Sequence, residues 1–133
     1  MISAFNDHGY LPPGVHVATL DQVAARFGQE SELRRVQVES LRWLVDLARR
    51  AGAQRLIVNG SFVTDVLEPN DVDCVVLVGE EFPRDAAAEI ELREGLPFVD
   101  LHVVGAEDFD LFVSTIFGTD RHKVRKGVVV VLL

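Results

Sequence analysis

Residues 59–78 read NGSFVTDVLEPNDVDCVVLV. A Gly-Ser pair, Gly60 and Ser61, opens the stretch, and an apolar run, Cys74 to Val78, closes it. Asp71 and Asp73 stand one residue apart at the mouth of that run. In an extended strand, residues i and i+2 share a face. Both carboxylates would then face one way, and Val72 and Cys74 the other. Carboxylates that close repel, so one takes up a proton or both share a cation. Just upstream, RLIVNG (55–60) reads as a strand that delivers Gly60 and Ser61 at its end. Glycine admits a close approach of backbone to ligand. Serine adds a hydroxyl and N–H groups in a turn able to cradle phosphate oxygens. Pro69 and Asn70 form the turn that launches the second strand.

Further along, PFVDLHVVG (97–105) reads as a third strand carrying Asp100 in apolar surroundings, where a lone aspartate is costly. If this strand lies beside the second, Asp71, Asp73 and Asp100 converge on one site. Mg²⁺ is typically held by one or two carboxylates plus substrate phosphates. Two metals so held can clamp a phosphoryl transfer. Taken singly the signals are weak, since Asp-x-Asp is common and Asp71 can serve as a turn residue in EPND.

The rest of the chain supplies a scaffold. Residues 1–18 carry Gly9, Pro12, Pro13 and Gly14 and read as an extended N-terminal arm. TLDQVAARFG (19–28) is a short helix capped by Thr19 or Asp21 and ended by Gly28. The clearest helix is 31–52, with Ser31 as N-cap, Gly52 past its end, and apolar positions Leu33, Val36, Val38, Leu41, Leu44, Val45 and Leu47. Trp43 falls among them as a core or interface residue. Residues 83–95 suit a modest helix or an irregular excursion, and 106–118 a short amphipathic helix. TDRHKVRKG (119–127) is a basic loop, and VVVVLL (128–133) a last strand. Helices mixed with four or five short strands give an α/β or α+β class.

At 133 residues the chain suits one domain, 1–133, with a core of its own. Its single cysteine, Cys74, excludes an internal disulfide and is compatible with a reducing cytoplasm. The start lacks a signal-peptide pattern, and no apolar run nears the roughly 20 residues that span a bilayer. The expected location is the cytoplasm, with no membrane partner. A formal net charge of −8 makes bulk nucleic acid a poor partner. Small anions escorted by a divalent cation remain compatible.

The ordered set GSFVT, PNDVDCVVL and FVDLHVV resembles the nucleotidyltransferase superfamily, the fold shared by DNA polymerase beta, aminoglycoside nucleotidyltransferases and the small MNT proteins of bacterial toxin–antitoxin pairs. With GYLPPGVHVATLDQVAARFG and RKGVVVVLL added, nearly the whole chain is similar to small, largely uncharacterised bacterial nucleotidyltransferase-like proteins. The resemblance implies a minimal nucleotidyltransferase fold, a small mixed sheet flanked by helices. It implies that Gly60 and Ser61, with Thr64 in the same turn, bind the nucleotide, and that Asp71 and Asp73 bind Mg²⁺. Asp100 matches the third acid, which joins the metal site and helps to deprotonate the attacking hydroxyl.

The match has gaps. Many active relatives carry a basic residue and a second glycine just after Gly-Ser, where this chain has Phe62, Val63, Thr64 and Asp65. Charge compensation would fall to Arg121, His122, Lys123, Arg125 and Lys126, of which Arg121, Lys123 and Lys126 are the nucleotide-binding candidates. The alternative for that cluster is a solvated surface loop. The implied activity is Mg²⁺-dependent transfer of a nucleoside monophosphate, AMP above all, from a nucleoside triphosphate to a hydroxyl of a protein, small molecule or RNA end. The competing expectation is a catalytically weak or inactive module that holds a protein partner in a toxin–antitoxin or defence pair. Self-association is left open by both. His102, two residues past Asp100, is expected to be an accommodated strand histidine, and Cys74 a core residue.

Overall fold

The structure, a computed structural model, describes residues 2–111 and 126–133. Strand β1 is Gly14–Ala18, and helices α1 and α2 are Leu20–Phe27 and Glu32–Ala51. Strand β2, Arg55–Asn59, runs into a 3₁₀ turn at Gly60–Val63, and β3 is Val72–Leu77. Helix α3, Ala86–Glu94, strand β4, Val99–Val104, helix α4, Ala106–Leu111, and strand β5, Gly127–Val131, follow. The class is mixed α and β, in agreement with the sequence. No helix of the described residues is long and apolar enough to cross a membrane.

Local chemistry sets the helix ends. Thr19 and Gln22 form a reciprocal capping box at the start of α1, and Gly28 closes the helix. The Ser31 hydroxyl accepts from the Arg34 N–H at the start of α2 (3.1 Å), and Gly52 ends that helix in the left-handed region at φ 82°.

The strands form one sheet in the order β1-β5-β2-β3-β4. β1 runs parallel to β5 and β3 parallel to β4, while β2 is antiparallel to both β3 and β5. β1 departs from the expected arm. Its last five residues are an edge strand, because pairing with β5 supplies the hydrogen bonds that five isolated residues lack.

Alternation along the strands separates two faces. Leu56, Val58, Val72, Cys74, Val76, Val129 and Val131 join the main core with α1, α2 and α3. Ile57, Val75, Leu77 and Val128 form a smaller cluster on the other face under Phe109 of α4. Each fully buried leucine or valine contributes roughly 1.5–3 kcal/mol. Val36, expected among the buried positions of α2, is exposed, and so is Trp43, which was expected in the core or at an interface. The buried stripe of that helix is turned so that Arg34 and Gln37 occupy its first turns, ahead of Val38, Leu41, Leu44 and Val45.

Candidate functional site

On the α4 side of the sheet, three polar side chains stand abreast in neighbouring strands. Asn59 of β2 is the register partner of Asp73 in β3, and Asp73 is the partner of Asp100 in β4. Directly opposed residues have Cβ atoms about 4.5–5.5 Å apart, so Asp73 is in reach of both Asn59 and Asp100. Toward the other end of the same face, Ile57, Val75, Leu77 and Val104 belong to the apolar cluster. The polar row is therefore the open lip of an apolar sheet face. The β4 end of the row is tied to β3 by a 2.7 Å bond from the Val72 N–H to the Phe98 carbonyl, and Phe98 has a positive φ of 61°. That conformation is strained for an aromatic residue.

Asp73 is half-buried, and its carboxyl pKa is raised above the ordinary value. Burial is the largest cause, followed by the charges of Asp100 and Asp71 and a hydrogen bond to Asp100, with Lys126 acting in the opposite direction. Two carboxyls in hydrogen-bond contact hold a proton between them or share a cation. The Cys74 thiol, fully buried in the main core, is pushed up by burial and cannot serve as a nucleophile.

Gly60 brings the 3₁₀ turn onto this row. Its φ is 76°, and a Cβ placed there would overlap the Asp73 carboxylate. Only glycine combines that backbone with that approach. The turn is held from behind by Arg34 of α2, a residue 2 % exposed. Its guanidinium donates to the carbonyls of Phe27 (2.9 Å), Phe62 (2.7 Å), Thr64 (2.9 Å), Ser61 (3.3 Å) and Val66 (3.1 Å from Nε). The guanidinium also lies over the Phe62 ring at 5.3 Å. Burial lowers the Arg34 pKa, opposed by the charges of Glu30 and Asp65.

The structure sorts the expected site residues. Asp73 and Asp100 come together as expected. Asp71 does not join the strand. It is exposed, just before Val72, because β3 begins one residue too late for the shared-face rule to include it. Its charge still acts on Asp73. Ser61 is exposed on the turn, whereas the Thr64 hydroxyl is taken up inside the loop, donating to the Ser61 carbonyl (2.7 Å) and accepting from the Val66 N–H (3.3 Å). Asp65 packs its carboxylate against Gly9 of the N-terminal arm, whose carbonyl accepts from the Asp65 N–H at 3.0 Å. Arg121 and Lys123 lie outside the described residues. Lys126, the residue before β5, is close enough to act on Asp73. His102 is exposed, with its ring 3.8 Å from the Asp100 carboxylate.

Two participants are absent from the sequence reading, Arg34 and Asn59. Arg34 was legible in principle, because it shares a helical stripe with Val38, Leu41 and Val45. Asn59 is 3 % exposed, and its Oδ1 has no hydrogen-bond partner among the described residues.

Among the described residues, no group of three His, Cys, Asp or Glu side chains is placed to hold a metal ion by itself. A hard divalent cation still fits the pair. Two carboxylates in contact are what Mg²⁺ takes from a protein when phosphates and water supply the rest. Gly60 leaves room for the Asp73 carboxylate to stand against the turn, and the orphaned amide oxygen beside Asp73 agrees with a group bound at this lip. Asp73 and Asp100 would hold it, with Asp71 nearby.

Searches of the curated proteins and of the solved structures gave no match. A family model matches residues 3–132, and on that match the chain belongs to the family of unknown function DUF6932.

Proposed function

We propose that the protein is a Mg²⁺-dependent nucleotidyltransferase, moving a nucleoside monophosphate, most readily AMP, from a nucleoside triphosphate to a hydroxyl. The observation that carries this reading is the Asp73–Asp100 contact facing the turn at Gly60 and Ser61. A divalent cation at that pair would neutralise the acids and draw the triphosphate toward them. Ser61 and the turn's N–H groups then face the phosphates, in a loop that Arg34 fixes from behind. Asp100, exposed on an edge strand, is open to an acceptor from solvent. In the proposed reaction the acceptor hydroxyl gives its proton to Asp100, and its oxygen bonds to the α-phosphorus. The bond to the β-phosphate oxygen breaks, and pyrophosphate leaves.

Thermal unfolding with and without Mg²⁺ and each of ATP, GTP, CTP and UTP tests the reading. A triphosphate at about 100 times its Kd adds about 2.7 kcal/mol. The expected result is a Mg²⁺-dependent rise in midpoint that Asp73→Asn and Asp100→Asn abolish and Asp71→Asn only weakens. No rise with any triphosphate would sink the reading.

A second reading, a module of this fold that holds a protein partner without transfer, draws support from one feature. No arginine or lysine lies between Gly60 and Asp73, so the turn offers no side-chain cation to a triphosphate. A complex with a basic partner that persists in Asp73→Asn/Asp100→Asn would favour it.

A further inference from the structure

Asn59 occupies an unusual place for a neutral polar side chain. It ends β2 immediately before Gly60, with Val58 behind it in the core and Asp73 beside it across the ladder. It is 3 % exposed, yet its Oδ1 meets no donor among the described residues. An orphaned buried acceptor costs roughly 1–3 kcal/mol. A valine or leucine at this position would continue the apolar pattern of Ile57 and Val75 and avoid that cost. The other orphaned acceptor, Gln37 Oε1, belongs to α2 on the opposite side of the sheet and has its amide nitrogen on the Pro69 carbonyl, 2.5 Å away. Asn59 alone couples the defect to the acidic row.

We propose that Asn59 is a positioning residue of the cation site, its Oδ1 accepting a hydrogen bond from water bound to a divalent ion held by Asp73 and Asp100. The inference rests on the cation reading given above and extends it to a residue that is not an acid. Mg²⁺ dehydrates reluctantly and keeps several waters, whose hydrogens point outward. A neutral acceptor fixed in the sheet orients those waters without adding a third negative charge to a row that already repels itself. A carboxylate at position 59 would raise the repulsion, and an apolar residue would leave the waters unheld. Asparagine meets both constraints, and the cost of its orphaned oxygen falls on the protein only when the ion is absent.

The test uses the full chain and Mn²⁺ standing for Mg²⁺, with binding read from the loss of free-ion paramagnetic signal and stability read from the thermal midpoint without metal. Asn59→Leu is expected to weaken Mn²⁺ binding at least about tenfold, as loss of an outer partner of a metal site does. Its metal-free midpoint should be equal to or above that of the wild type. Asn59→Asp is expected to bind Mn²⁺ more tightly and to have a lower metal-free midpoint. Wild-type affinity in Asn59→Leu together with a lowered midpoint would overturn the proposal and make Asn59 a packing residue. If Asn59→Leu fails to fold, unchanged affinity in Asn59→Asp overturns it. A wild-type protein that takes up no Mn²⁺, alone or with ATP, overturns the cation reading itself and this proposal with it. Binding that is intact in the wild type and indifferent to residue 59 overturns this proposal alone.

Discussion

Arg34 and Asp73 lie on opposite sides of the same turn, and each carries a charge that folding removes from water. Arg34 is almost wholly buried and is met by the carbonyls of Phe27, Ser61, Phe62, Thr64 and Val66. Asp73 is only half-buried and is met by Asp100 and Asp71, two groups of its own sign, with Lys126 as the opposing charge. The deeper charge is the better satisfied. Arg34 is therefore part of the architecture, complete as it stands. Asp73 is left with a deficit that a proton, a cation or a ligand can relieve. A charge that folding has left uncompensated beside an exposed turn is where function is expected.

The sharpest way to break the comparison is to remove the satisfied charge. Arg34→Met removes the guanidinium from five carbonyls, of which that of Ser61 keeps Thr64 as a donor, and is expected to cost about 3–5 kcal/mol in urea unfolding, as loss of one partner from a buried charge network does. Arg34→Lys should recover less than half of that, because one ammonium cannot span the fork. A cost under about 1 kcal/mol for Arg34→Met would mean that the clamp is not structural.

The next test addresses the contact between the two regions. Gly60→Ala meets both a left-handed backbone and the Asp73 carboxylate, and is expected to cost about 2–3 kcal/mol. In an Asp73→Ala background only the backbone penalty of about 1 kcal/mol should remain. The difference is the coupling energy of a double-mutant cycle. Additive costs would place the carboxylate elsewhere.

The smallest expected effect is the most specific to the acidic row. The Asp73 pKa is raised on folding, so the folded state binds the proton more tightly than the unfolded one. The stability this contributes is present below the unfolded value of about 3.9 and is lost as pH rises through the raised folded value. Without ligand, wild type minus Asp73→Asn should therefore lose stability with rising pH across that window and stay level above it. Asp73→Asn should be the more stable of the two at neutral pH. A difference that runs the other way would mean that Asp73 is already paired in the unliganded protein.

What the sequence made legible was what local chemistry determines. Thr19, Ser31, Gly28 and Gly52 mark helix ends by capping, and the runs at 55–60, 72–78, 99–104 and 128–133 mark strands by composition. The Asp73–Asp100 meeting followed from one assumption, that two strands would be neighbours. The failures share a different origin. β1 exists because of β5, more than a hundred residues away, so five residues between Pro13 and Thr19 carried no signal of their own. Asp71 was placed by the two-residue period, and that rule fails when a strand starts one residue late. Arg34 and Asn59 are ordinary by type, one in a helix rich in arginine and the other before a glycine. Their importance is in which neighbours they lack or have, and that emerges only in three dimensions.

The partners of Arg34 have a consequence for conditions outside the neutral range. Backbone carbonyls take up no proton as a solution is acidified, and they carry no net charge for salt to screen. Had α2 gripped the 61–66 loop through a carboxylate, acid or high ionic strength would loosen the grip. As built, acidification protonates Asp73, whose pKa burial and neighbouring acids raise, while the outline of the turn facing it stays fixed. Under the proposed cation reading, acid should weaken binding without loss of shape, and restoring the pH should restore it with no refolding step between.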